Sequence, residues 1–115
     1  MNIENKTINA LILMGAPMKS MGSKYIVEAM RIFDESNEWT NIKTTCLYEK
    51  IAEKHNTTPR CVERNIRTAL LTIVSKGNVE YSDKYFGKNS RGNTNRLATL
   101  YIRLKQEDSD AERIY

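Results

Sequence analysis

Residues 47–74 read Leu47-Tyr48-Glu49-Lys50-Ile51-Ala52-Glu53-Lys54-His55-Asn56-Thr57-Thr58-Pro59-Arg60-Cys61-Val62-Glu63-Arg64-Asn65-Ile66-Arg67-Thr68-Ala69-Leu70-Leu71-Thr72-Ile73-Val74. Two stretches with apolar residues at three- and four-residue spacing flank a short polar break, the pattern of two amphipathic helices joined by a turn. Asn56 tolerates the left-handed conformation in which helices end, and Thr58-Pro59 pairs an N-cap with a proline at the first helical position. Cys61 stands where a capping box would carry Glu, so the box is incomplete. The small Ala52 lets the two helices approach closely. Together these features predict a helix-turn-helix.

Placed at 100° intervals, the second helix separates into two faces. Val62, Ile66, Ala69, Leu70 and Ile73 fall on one side. Arg60, Glu63, Arg64 and Arg67 follow the spacing i, i+3, i+4, i+7 and share one stripe on the other. The stripe occupies the first two turns, the part of a recognition helix that reaches base edges in the major groove. Arg pairs bidentately with guanine O6 and N7, and a carboxylate accepts from cytosine N4, so the stripe suits a C/G-containing site. An ordinary surface pair between Glu63 and Arg67, worth about 0.3–0.5 kcal/mol, would account for Arg67 but not for Arg60 and Arg64.

Outward from this pair, nearly every apolar segment keeps the helical period. Helices are expected at about residues 4–14, 23–36, 44–55, 59–76 and 94–106, with a short element near 82–86 and a polar, basic loop from 87 to 95. The first is stopped by Gly15-Ala16-Pro17. The second carries Tyr25, Ile26, Ala29, Met30 and Phe33, with Trp39 expected to pack back onto the core. The last buries Leu97, Leu100, Tyr101 and Leu104. The expected fold is all-α, a single domain over residues 1–107, with a frayed acidic tail at 108–115.

The chain has 115 residues, enough for one core without staples or metal. Residues 1–59 carry seven basic and seven acidic side chains, which cancel. Residues 60–105 carry ten basic against three acidic, a net +7, which points to a polyanionic partner. Lys84, Lys88, Arg91 and Arg96 in this segment are candidate phosphate contacts.

Other classes find little support. No apolar run approaches the roughly 20 residues that span a bilayer, and Glu4 and Asn5 stand where a signal peptide would be hydrophobic, so a cytoplasmic protein is expected. Cys46 and Cys61 form neither a disulfide framework nor a zinc spacing and are read as buried or idle reduced thiols. His55, the single histidine, is expected beside the turn as a helix C-terminal cation or phosphate contact. Met14, Met18, Met21 and Met30 are read as core and loop packing. No nucleophile with a base, carboxylate pair or phosphate-cradling glycine loop is present, so neither an enzyme nor a cofactor site is expected.

The run from Ile51 through Thr57-Thr58, then Val62-Glu63-Arg64, Ile66-Arg67 and Lys76-Gly77-Asn78-Val79, resembles the C-terminal effector domain of the stage-zero sporulation protein A family, the sporulation response regulators. The likeness extends over about residues 8–104, including Gly15-Ala16-Pro17, Gly22 with Tyr25, and Phe86-Gly87. It implies a six-helix, all-α domain that binds double-stranded DNA at short TGTCGAA-like boxes upstream of sporulation genes and contacts RNA polymerase. By the same resemblance the base-reading residues fall on Glu63 and Arg64, with Arg67 also facing DNA. Arg60, Thr57, Thr58 and His55 are then supporting or backbone contacts.

Two departures stand out. The family's arginine two positions before the glutamate is Cys61, with a basic residue one place earlier at Arg60; that offset turns the side chain by 100° and favours phosphate over base. The family's Thr-Asn-Ser-Glu stretch becomes Asn93-Thr94-Asn95-Arg96, a more basic loop. No phospho-receiver is expected within these 115 residues, which suits either an excised domain or a stand-alone homologue. The leading expectation is a sequence-specific transcription regulator, with dimeric or tandem occupancy of adjacent boxes left open. The alternative is a protein-interaction module or antagonist that keeps the fold and binds RNA polymerase or a related regulator, and the loss of arginine at Cys61 is its best support.

Overall fold

The computed structural model describes residues 2–36 and 44–114. Among these residues the chain forms six helices and no strand: α1 (Ile3–Met14), α2 (Met21–Ser36), α3 (Thr44–Lys54), α4 (Pro59–Lys76), α5 (Val79–Phe86) and α6 (Asn93–Ile114). The all-α, six-helix expectation holds. Trp39, expected against the core, lies outside the described residues.

Helix ends follow the local chemistry. Asn2 caps α1 by accepting from Asn5 N at 2.9 Å. At the other end Gly15 takes φ 78°, and the Gly15 and Ala16 N–H groups donate back to Ile12 and Leu11 carbonyls, closing the helix with a left-handed residue that glycine adopts without a Cβ penalty. The short element begins at Val79 rather than near Ser82, because Asn78 serves as an N-cap that accepts from Tyr81 N at 3.2 Å. α6 continues to Ile114, past the end near Gln106 that its apolar stripe predicts.

α2 is the central packing element, lying against α1, α3, α4 and α6. Its face of Tyr25, Ile26, Ala29, Met30 and Phe33 is buried, as the periodicity predicts. The closest approach is at Gly22. A Cβ there would lie 2.1 Å from the Asn65 carbonyl oxygen of α4 and 2.8 Å from Ala69 Cβ, so only the absence of a side chain lets the two helices meet. Val62, Ile66, Ala69, Leu70 and Ile73 of α4 are buried against this surface. Leu97, Leu100, Tyr101 and Leu104 bring α6 into the same core. Of the methionines, Met14 and Met30 are fully enclosed, Met18 packs at the edge and Met21 is exposed.

Candidate nucleic-acid interface

The turn between α3 and α4 is built by local hydrogen bonds. Asn56 sits at φ 54°, the one positive-φ residue other than glycine among those described. Asn56 N–H donates to Glu53 O at 3.4 Å and Thr57 N–H to Ala52 O at 2.9 Å, so the last carbonyls of α3 are satisfied by a Schellman-type close. Thr58, extended at φ −109° and ψ 152°, then accepts from Cys61 N at 3.2 Å and caps α4, with Pro59 in the first turn. The cap and proline predicted for this turn are both present.

α2 holds the pair from behind. Glu28, mostly buried, pairs with Arg31 on its own helix and with Lys54 Nζ of α3 at 2.8 Å. His55 turns inward against α2, its ring meeting Tyr25 edge-on at 5.1 Å, and its Nε2 is buried without a partner. The half-exposed ring packs the turn onto α2.

The polar stripe of α4 faces outward. Arg60 and Arg64 are exposed and make no ion pair or hydrogen bond among the described residues. Arg67 Nη1 donates to Glu63 Oε1 at 2.8 Å, so the ordinary surface pair does form, yet it leaves the two arginines of the first turns unengaged. Asn65 bends back to donate to the Cys61 carbonyl at 2.7 Å. Cys46 is exposed and Cys61 partly so; both are free thiols, which removes the buried reading. Hydrogen bonds with the Thr58 and Thr57 side chains, aided by the nearby Arg64 charge, hold the Cys61 thiol below its ordinary pKa.

The remaining basic candidates divide. Lys88 and Arg91 are exposed in the loop before α6 and unpaired among the described residues. Arg96 is half-buried; its Nη2 donates to Ser90 O at 3.3 Å and its Nε is buried without a partner. It lines a groove of about 510 Å³ with Tyr48, Glu63, Arg67, Leu71 and Asn93, so the first turn of α6 flanks the α4 stripe. Lys84 does not join them. Its Nζ lies 3.5 Å from Glu107 Oε1 and 5.1 Å from the Tyr85 ring centroid. Glu107 is roughly 20 Å along α6 from Asn93 at 1.5 Å rise per residue. Lys84 therefore lies beside a carboxylate well along that helix, away from the α4 stripe, in an exposed ion pair.

The Tyr48–Asn93 contact escaped the sequence reading. Asn93 Nδ2 donates to Tyr48 Oη at 3.1 Å. Burial pushes the Tyr48 hydroxyl above its ordinary pKa, with Glu63 adding to the rise and the Asn93 bond opposing it. A tyrosine in the apolar stripe of α3 signals that a partner must exist, since a buried hydroxyl needs one, but does not say which residue supplies it.

An exposed arginine stripe on the second helix of a capped helix-turn-helix, within six packed helices, agrees with comparison to known families. The family described as sporulation initiation factor Spo0A C terminal matches residues 7–104. The chain belongs to this family. As a Spo0A C-terminal domain it is a DNA-binding domain of the sporulation-initiation type, acting in transcription regulation. Among the described residues no group of three or more His, Cys, Asp or Glu comes together to hold a metal ion. None of the helices is long and apolar enough to cross a membrane, again among the described residues.

Proposed function

We propose that this Spo0A C-terminal domain is a sequence-specific reader of a short TGTCGAA-like box. The first two turns of α4 enter the major groove. Arg64 donates in bidentate fashion to a guanine, Glu63 accepts from a cytosine amino group, and Arg67 orients that carboxylate while facing the same bases. Arg60, Lys88, Arg91 and Arg96, with the Thr57 and Thr58 hydroxyls at the helix start, act on the phosphates. Contact with RNA polymerase and paired occupancy of adjacent boxes belong to the same proposal.

The observation that carries it is the contrast within one helix: Arg60 and Arg64 stand exposed and unpaired, while Val62 and Ile66, between and beside them, are fully enclosed. Cys61, where the family has arginine, favours a second reading as an antagonist that binds a protein instead. An electrophoretic mobility shift at physiological salt, with a TGTCGAA-type duplex against a scrambled one, separates the two. Selective retardation of the box duplex is the expected result. Equal or no retardation of both duplexes would reject base readout and leave the antagonist.

A further inference from the structure

Three helices meet at one amide. Tyr48, from α3, is buried at 7% exposure, and its hydroxyl oxygen accepts from Asn93 Nδ2 at 3.1 Å. The same nitrogen lies 3.4 Å from the backbone carbonyl oxygen of Glu63 on α4, while Asn93 itself opens α6. A carbonyl oxygen only accepts, so the amide must present its nitrogen here, and its two hydrogens serve the two acceptors. The Glu63 carbonyl belongs to the residue whose carboxylate lies within the outer stripe, beside Arg64.

The apolar packing around this point is uneven. α4 lies heavily on α2 and α3, whereas α6 packs chiefly on α5 and meets α4 over a smaller area. Apolar contact is non-directional and leaves a helix some freedom to roll or slide; a hydrogen bond to a fixed carbonyl does not. Base-edge contacts need donors and acceptors held to about 0.5 Å and 10–20°. Attraction between exposed arginines and phosphates carries no sequence information and is less demanding of position.

We infer that Asn93, with Tyr48 as its anchor, is a positioning residue for sequence discrimination: its amide ties the start of α6 to α3 and to the Glu63 backbone, and so sets how Glu63 and Arg64 meet the bases. The inference rests on the base-reading role proposed above. It assigns no DNA contact to Asn93 or Tyr48.

The test uses the full chain and measures fluorescence anisotropy on the box duplex and on its scrambled counterpart, for the wild type, Asn93→Ala, Asn93→Asp, Tyr48→Phe and the Asn93→Ala/Tyr48→Phe pair. Loss of a hydrogen bond of ordinary strength should lower the ratio of box to scrambled affinity roughly 3- to 10-fold in Asn93→Ala, with scrambled affinity within about twofold of wild type. Asn93→Asp keeps the shape, and its carboxylate can still accept from the Tyr48 hydroxyl, but it loses the donor to the Glu63 carbonyl and sets two acceptors against each other. It should lower the ratio at least as far, although its charge weakens both duplexes. Tyr48→Phe should give a smaller drop, and the double variant no more than Asn93→Ala alone, because Tyr48 acts only through its bond to Asn93, whose second bond goes to the Glu63 carbonyl. Tyr48→Phe keeps the buried ring, so it reports even if Asn93→Ala folds poorly. An unchanged ratio in Asn93→Ala, or equal losses on both duplexes, overturns the inference while leaving base reading intact. A wild-type chain that shows no preference overturns both.

Discussion

Arg67 Nη1 reaches both carboxylate oxygens of Glu63, at 2.8 Å and 3.0 Å, one turn away on the exposed side of α4. Both side chains keep contact with solvent, so the pair adds only about 0.3–0.5 kcal/mol to folding. Its consequence lies elsewhere. A carboxylate has lone pairs to spare, so Arg67 fixes the plane of Glu63 without exhausting it as an acceptor. Next to it, Arg64 makes no such commitment.

The first prediction separates these two arginines. Arg64→Ala should cost about 1–3 kcal/mol of binding to the box duplex and relax preference at one base pair. Arg67→Ala should weaken the same duplex too, by releasing Glu63, yet change unfolding free energy by less than about 0.5 kcal/mol. Calorimetric titration against a set of single-base-pair variants, beside urea unfolding, checks both. A uniform loss across all duplexes for Arg64→Ala would remove it from the base-reading set.

Salt dependence sorts the basic candidates. With about 4–6 phosphates neutralised, log affinity should fall against log salt with a slope of about −4 to −5. Lys88→Ala and Arg91→Ala should each make the slope shallower by about 1 and affect all sequences alike. Lys84→Ala should leave it unchanged, because Lys84 is engaged by Glu107 3.5 Å away. A slope that responds to Lys84 as strongly as to Lys88 would place DNA on the α5 side.

Gly22→Ala tests the α2–α4 approach. The added methyl would lie 2.1 Å from the Asn65 backbone oxygen, which no rotamer change can relieve. Overpacking of this kind costs about 1–3 kcal/mol or more. At about 4–8 °C per kcal/mol for a domain of this size, differential scanning calorimetry should show a Tm lower by several degrees. Because Asn65 follows Arg64 directly, box affinity should fall with it. An unchanged Tm would mean that the helices are not in contact there.

Alkaline pH should destabilise the fold through Tyr101. Burial pushes its hydroxyl up to about 12, and its hydrogen bond to Asp34 Oδ1, at 2.9 Å, adds to the shift. The folded value is above the ordinary 10, so the unfolded chain releases this proton first. The contribution is complete below pH 10 and is lost as pH rises toward 12. Tyr85, donating to Glu107 Oε1 at 2.7 Å, is shifted in the same direction by burial and works the same way. Urea midpoints measured from pH 9 to 12 should therefore decline less steeply in Tyr101→Phe than in wild type. Parallel curves would assign the alkaline loss to other groups.

Much of the helix-turn-helix was legible because its signals are local. Asn56, Thr58 and Pro59 each act within a few residues, and the two faces of α4 follow from helical geometry alone. The packing partner of His55 was not legible for the same reason. The position of His55 at a helix end is local, whereas the Tyr25 ring that draws it inward comes from another helix. Lys84 belongs with it, since Glu107 is distant in sequence. The early start of α5 was hidden by Gly77, which marks one helix's stop and obscures the cap at Asn78 that begins the next.

Periodicity and capping chemistry were enough to establish an all-α chain of five helices with a short sixth element, a recognition-type pair and an arginine-rich outer stripe, because each depends on neighbours along the chain. Tertiary packing decided which charges stay available and what holds the stripe in place. Glu107 takes Lys84, Tyr25 takes His55, and Asn93 joins Tyr48 to the Glu63 backbone. Those pairings depend on which helices lie side by side, and one-dimensional patterns carry no measure of distance between helices.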